Sequence, residues 1–329
     1  MPADVKAVEA VGASRRPVVV LAVLAAAAVA GVVLFLTVGA RGDWGFILAF
    51  RGTKVATMVV VGVAVGVATV IFQTIVGNRI LTPSIMGFDA LYGLIQTALV
   101  FALGTAVAAG LNHHLRFVVE AATLAGFAAV LYRWLFSGGL RGLHLLMLVG
   151  IVFGVLFRSL ALFLQKVLDP AAFLLVQDRL FASFNRPDGD LLVISAAIVA
   201  AVLVAGWRGA RLLDVLALGR EAAIGLGVDH RRAVTACLLA VSVLVAVSTA
   251  LVGPLLFLGL LAANLAALLV ATHRHAIVLP AAALVGVCCL TFGQLAVEHL
   301  FAFDTALGIV IEFAGGLVFL TLLLRGHAR

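Results

Sequence analysis

Between Pro17 and Val38 the chain carries no charged side chain, and apolar runs of this kind recur along its length. A helix needs roughly 20 apolar residues to cross a bilayer. Only helices and closed barrels satisfy their backbone groups in lipid, and the alternating pattern of a membrane barrel is absent. Runs bounded by polar punctuation predict spans at 17–38, 53–76, 89–109, 117–136, 143–165, 190–206, 231–252, 255–272, 276–300 and 307–325. The expected fold is an all-α polytopic membrane bundle of about ten transmembrane helices. Residues 1–16 read as a polar tail, 17–325 as one transmembrane domain, and 326–329 as a second tail. The first run exceeds the roughly 7–15 residues of a cleaved leader, so a retained first helix is expected.

Composition excludes a soluble domain between any two spans. Charged residues are 11% and hydrophobic residues 64%, against about 25% charged in soluble proteins. The net charge of +7 reflects basic residues gathered at the cytoplasmic ends of spans, a pattern that sets orientation. With the N-terminus inside, the cytoplasmic set is Lys6, Arg15, Arg16, Arg79, Arg133, Arg141, Arg208, Arg211, Arg220, Arg231, Arg232, Arg274, Arg325 and Arg329. The other basic residues are Arg41, Arg51, Lys54, Arg116, Arg158, Lys166, Arg179 and Arg186. This bias of 14 to 8 among 22 puts both termini in the cytoplasm. Cys237, Cys288 and Cys289 lie in apolar runs and read as packing residues. Gly62/Gly66 and Gly150/Gly154 have the spacing that lets membrane helices approach closely.

Three polar interruptions stand out. Gly77–Gly93, GNRILTPSIMGFDALYG, cannot face lipid and must line a water interface or a protein cavity. Segment 166–189 is the longest connection, and Asp169-Pro170 opens a short interfacial helix around Ala171–Ser183. Segment 208–232 contains LGREAAIGLG, a short helix bounded by Gly219 and Gly225/Gly227. Glu221 sits near its N-terminus, where the dipole favours an anion. A solvated connector and a docking helix both fit this stretch, and its alanine, leucine and isoleucine favour a covered surface.

Catalytic signatures are missing: there is no H-E-x-x-H, G-x-S-x-G or G-x-x-x-x-G-K-S/T. The chain has no P-loop of its own, so it is not expected to be an enzyme, and no metal site is expected. His113-His114 and His273/His275 lie at span ends, where solvation is a better reading than metal ligation. Intramembrane charges are functional suspects because each costs about 2.5–3.5 kcal/mol at the helix centre. Glu120 and Glu298 are placed near the interface. Arg158 and Glu312 lie deeper, and a structural ion pair or carbonyl contact suits them better than a proton relay.

The motifs NRILTPSIMGFDALYG (78–93), DPAAFLLVQDRLFASFN (169–185), LGREAAIGLGVD (218–229) and VSTALVGPLLFLGLLAANL (Val247–Leu265), with the last span from Asp304, resemble the FecCD family over roughly residues 45–325. These are permease subunits of iron-chelate ABC importers, related to the vitamin B12 permease. The QDRLFASFN variant resembles the branch that handles ferric catecholate-type or related siderophores. The resemblance implies two permease subunits, the second a distinct paralogue, around one pathway in the bacterial cytoplasmic membrane. It also implies two ATPase subunits below and an extracytoplasmic siderophore-binding protein above. This chain would bind no cofactor; ATP and Mg would be used by the ATPase. The resemblance makes Leu218, Gly219, Arg220, Glu221, Ala222, Gly225 and Gly227 the ATPase-coupling helix. Asn78, Ile80, Thr82 and Pro83 become a cytoplasmic gate, and Arg51, Lys54 and His299 contacts for the binding protein. At the last of these the family often has Arg after the glutamate, whereas this chain has His299.

The rival from another class is a secondary transporter driven by an ion gradient, which wants buried carboxylates and broken helices near the bilayer centre. The breaks in this sequence are expected at the cytoplasmic edge.

Overall fold

The computed structural model describes residues 3–39, 43–136, 143–185, 188–300 and 306–326; Arg41, Arg141, Arg186, Asp304 and Arg329 of the sequence reading lie outside them. Among the described residues there are thirteen α-helices and no strand. They are α1 (Ala3–Thr37), α2 (Trp44–Val76), α3 (Phe88–Gly110), α4 (His113–Phe136), α5 (Leu143–Val167), α6 (Pro170–Leu180), α7 (Gly189–Gly206), α8 (Ala210–Leu216), α9 (Arg220–Gly225), α10 (His230–Val252), α11 (Leu258–Val270), α12 (His275–His299) and α13 (Leu307–Gly326). Short 3-10 turns occupy Pro83–Met86 and Trp207–Gly209.

Eight of the described helices are long and apolar enough to cross a membrane. The helix α13 also runs for 20 residues. By contrast α11 has 13 residues and rises only about 20 Å at 1.5 Å per residue. It follows α10 after a non-helical break at 253–257, so the eighth predicted span covers only about two thirds of a roughly 30 Å core. Two other boundaries differ from expectation. The α1 backbone is helical from Ala3 through Pro17. In turn α2 begins at Trp44, nine residues before the expected start at 53, and the Ile47 amide donates to the Asp43 carbonyl at 3.1 Å, so Arg51 too lies on the helix that carries Lys54.

The bundle is organised by small residues. At the crossing of α2 and α12, a methyl on Gly62 would sit 2.7 Å from the Val287 amide nitrogen, and one on Gly66 2.6 Å from the Ala282 carbonyl. Backbone therefore packs on backbone, the arrangement that drives membrane helix association where lipid offers no hydrophobic gain. Gly150 and Gly154 of α5 do the same for the turn after α2: a methyl on Gly150 would lie 2.9 Å from the Met86 Cα, and Gly87 packs on Gly154. Between α4 and α5, Phe127 meets Phe153 and Phe157 edge-on at 5.4 and 5.1 Å between ring centroids.

On the outer side, α6 starts as the sequence suggests. The Asp169 carboxylate accepts from the Ala172 amide at 2.9 Å, and Pro170 occupies the first turn, where its missing N–H costs nothing. After α6 the chain runs extended, and the Ser183 amide donates to the Val252 carbonyl at 2.9 Å, at the end of α10. Ala182 is buried between Gly253 and Gly308, where added methyls would come within 3.1 and 3.3 Å of its backbone.

Candidate functional site

Segment 207–229 forms a shelf on the inner side of the bundle. Gly219, at φ +95°, takes a conformation open to glycine and closed to most other residues; it ends one short helix, α8, and begins the next, α9. Of α9, Ala223 is fully buried and anchors the turn. Arg220, Glu221, Ala222, Gly225 and Gly227 are exposed. So are Leu218 at 64%, Ile224 at 52% and Leu226 at 63%. Three large apolar side chains on and beside a six-residue helix form a surface suited to cover by another protein. The segment closes at Asp229, whose carboxylate caps α10 through the Arg232 amide at 3.1 Å.

The loop after α2 does not stay at the membrane edge. Asn78 Oδ1 accepts from the Ile80 amide at 2.9 Å, tightening the turn. The Arg79 carbonyl receives two carboxamides, Gln73 Nε2 at 2.6 Å from α2 and Asn264 Nδ2 at 3.1 Å from α11. The chain then re-enters the bundle. Thr82 is extended at ψ 156° before Pro83, as a residue preceding proline must be, and both are buried. With Ser84 they line a cleft whose other wall is Thr69, Ser248, Thr249 and Leu255. Asn78 and Ile80 sit exposed at its mouth. Gly150, which seats this turn, is seven residues into α5, about 10 Å from its start. The breaks at 77–87 and 253–257 thus lie inside the bundle, against the expectation that they stay at the cytoplasmic edge.

At the outer end, Arg51 Nη1 donates to the carbonyls of Phe35 and Val38 at 2.8 and 2.7 Å and its guanidinium lies 5.7 Å from the Phe35 ring centroid. It closes the end of α1 while remaining half-buried. Lys54 does not face outer solvent as a docking residue must. It is 5% exposed, 3.5 Å from Glu298 Oε1 and over the Phe50 ring at 4.8 Å. His299 is exposed, with Nδ1 3.1 Å from the Leu295 carbonyl.

A family model described as the FecCD transport family matches residues 19–325. The chain belongs to this family. The FecCD match starts well before the motifs read from sequence and takes in α1. The petrobactin import system permease protein YclO of Bacillus subtilis is 45% identical over 284 residues, covering 86% of this chain and 90% of that protein. The petrobactin import system permease protein FatC of Bacillus anthracis is 36% identical over 280 residues, covering 84% and 78%. Among solved structures, an inward-facing metal-chelate type ABC transporter superposes with a TM-score of 0.82 at 21% identity, covering 94% of this chain and 99% of that one. The fold is that of an ABC importer permease in a multi-pass membrane protein.

Within this FecCD bundle several polar groups lie where the sequence did not put them. Glu120 and Glu298 are both buried against protein, and Glu298 is the last residue but one of α12. Glu120 accepts from Gln96 Nε2 at 2.5 Å and pairs with Arg116 at 3.2 Å, while Gln294 supports Glu298 at 3.2 Å. His275 is buried and bonded, not solvated. Asp89 was present in the quoted motif, yet its role is visible only in three dimensions. It lies beside Ser84, within electrostatic reach of Arg158 and Glu312, and its Oδ2 has no hydrogen-bond partner among the described residues. Arg158 is exposed in the middle of α5, a position that must meet protein or a water-filled pathway rather than lipid.

Proposed function

We propose that this chain is the permease subunit of an ATP-driven importer that carries a ferric siderophore of the petrobactin class into the cytoplasm. The observation that carries the reading is the inner shelf: an exposed apolar helix, α9, held between glycines and anchored by Ala223, on a chain with no P-loop. Such a surface needs a soluble partner, and the petrobactin import roles of YclO and FatC indicate the cargo. A distinct second permease completes the pathway, two ATPase subunits take the shelf, and a siderophore-binding protein delivers cargo from outside. ATP and Mg belong to the ATPase. The docking role falls to Arg51 and His299, since Lys54 is engaged in the bundle.

In operation, the loaded binding protein meets the outer face, with charge complementarity steering the encounter. ATP binding closes the ATPase pair and displaces the shelf. The permease halves rock, the loop at Asn78–Pro83 clears the cleft, and hydrolysis resets access. The cleft is lined by small hydroxyls and apolar groups, which offer a large chelate passage without a deep trap.

The test is uptake of radio-iron-labelled ferric petrobactin by proteoliposomes holding the complete complex. Uptake that needs ATP and survives collapse of proton and sodium gradients supports the reading. Accumulation by this chain alone on an imposed ion gradient refutes it and favours the secondary transporter.

A further inference from the structure

We propose that Asp214, His275 and Thr74 form the linkage through which movement of the shelf reaches the loop that closes the cleft; this rests on the coupling role of α8–α9 proposed above. Asp214 belongs to α8. Its Oδ1 accepts from the His275 main-chain amide at 2.8 Å and lies 2.7 Å from the ring Nδ1. The other ring nitrogen, Nε2, is 2.7 Å from Thr74 Oγ1 on the last turn of α2. One buried imidazole thus joins three elements.

The arrangement is not an ordinary cap. The first amides of a helix lack internal partners, and Arg274, the residue before α12, gives no side-chain cap. The carboxylate that fills this place comes from another helix, and it is favoured there by the helix dipole. When α8 moves, the start of α12 must follow or lose its cap. The strain then arrives at Thr74, one residue from Gln73. That side chain holds the Arg79 carbonyl, and Asn264 of α11 holds the same oxygen. The chain of contacts therefore runs from the shelf to the first residues of the re-entrant loop without a gap. A structural cap alone would have no need of the Thr74 contact.

The experiment uses the complete complex in proteoliposomes with ferric petrobactin as the probe. It compares Asp214→Ala, Asp214→Asn, His275→Ala, Thr74→Val and the Asp214→Ala/His275→Ala double variant. Two quantities are read: ATPase retained on purification, and iron taken up per ATP hydrolysed. In Asp214→Ala, His275→Ala and Thr74→Val the ATPase stays bound, while uptake per ATP falls about tenfold, within the span of coupling between sites. The double variant falls no further than the worse single, as members of one network do. Asp214→Asn keeps the acceptor oxygen and restores most of the coupling.

Unchanged uptake per ATP in Asp214→Ala and Thr74→Val overturns the linkage, as does loss of the ATPase from either. Should the Asp214→Ala chain itself fail to fold into the membrane, Thr74→Val, which leaves the α12 cap in place, decides alone. A Leu218→Asp reference separates the two readings. If it leaves ATPase association and uptake intact, the shelf itself is misassigned; if it breaks association while the linkage variants transport normally, only the linkage falls.

Discussion

Removing the Glu298 carboxylate should destabilise the chain far more than removing an exposed acid, and the reason lies at Lys54. The two side chains are 6% and 7% exposed and 3.5 Å apart. At that separation the attraction is about 5 kcal/mol for an effective dielectric of roughly 20. Desolvation opposes it, so the pair as a whole contributes little. Breaking it from one side, however, takes one carboxylate away from a buried ammonium, and such a loss costs about 3–5 kcal/mol. The Phe50 ring, 4.8 Å from the ammonium, would remain as a partial substitute, so the lower end of that range is expected. Glu298→Ala and Lys54→Met should each lower the thermal midpoint of the detergent-purified chain. The Lys54→Met/Glu298→Leu double variant should recover most of the loss, since apolar replacements of both partners are often neutral. Intrinsic tryptophan fluorescence during heating reads all three. Unchanged midpoints in the single variants, or a double variant showing the sum of their losses, would refute the argument and return Lys54 to the outer surface as a docking residue.

Other substitutions probe separate parts of the fold. Gly286→Ala places a methyl 2.5 Å from the Gly62 carbonyl, where backbone cannot yield; a loss of about 1–3 kcal/mol should appear as less folded chain in the membrane, whereas Gly52→Ala, with open space around it, should be neutral. Ile224→Asp should abolish co-purification of the ATPase while leaving the thermal midpoint of the isolated chain unchanged, because its side chain meets no core. Asn264→Ala removes one of two donors from the Arg79 carbonyl, worth about 0.5–1.5 kcal/mol. Hydrogen exchange at Asn78–Leu81 should speed up by a matching factor, and equal exchange in both proteins would count against the strapped loop.

The elements set by apolar run length were legible from the residues alone, as were those set by punctuation. Asp169-Pro170 announced α6, Gly219 and Gly227 framed α9, and Gly62/Gly66 marked a helix crossing. What the sequence hid was set by contacts between distant segments. Lys54 is given an external role by the resemblance alone, and its buried partner Glu298 is 244 residues away. His275 looked solvated because its partners are 61 and 201 residues away. The depth of the loop after α2 depends on glycines of α5, and no local pattern reports that. Asp89 stands within GFDALYG, but an acid there gains meaning only once the fold brings Arg158 and Glu312 within its electrostatic reach.

The socket around Ala182 has a consequence for how an event outside could be felt within. One small residue following the surface helix is gripped by glycines from two separate membrane segments, and the very next residue is stitched to the end of the first of them. The nearest atoms at both glycines are main-chain atoms, which cannot swivel to absorb a push. Pressure on the external helix must therefore displace the mid-membrane break directly, as a rigid lever displaces what is pinned to its short arm.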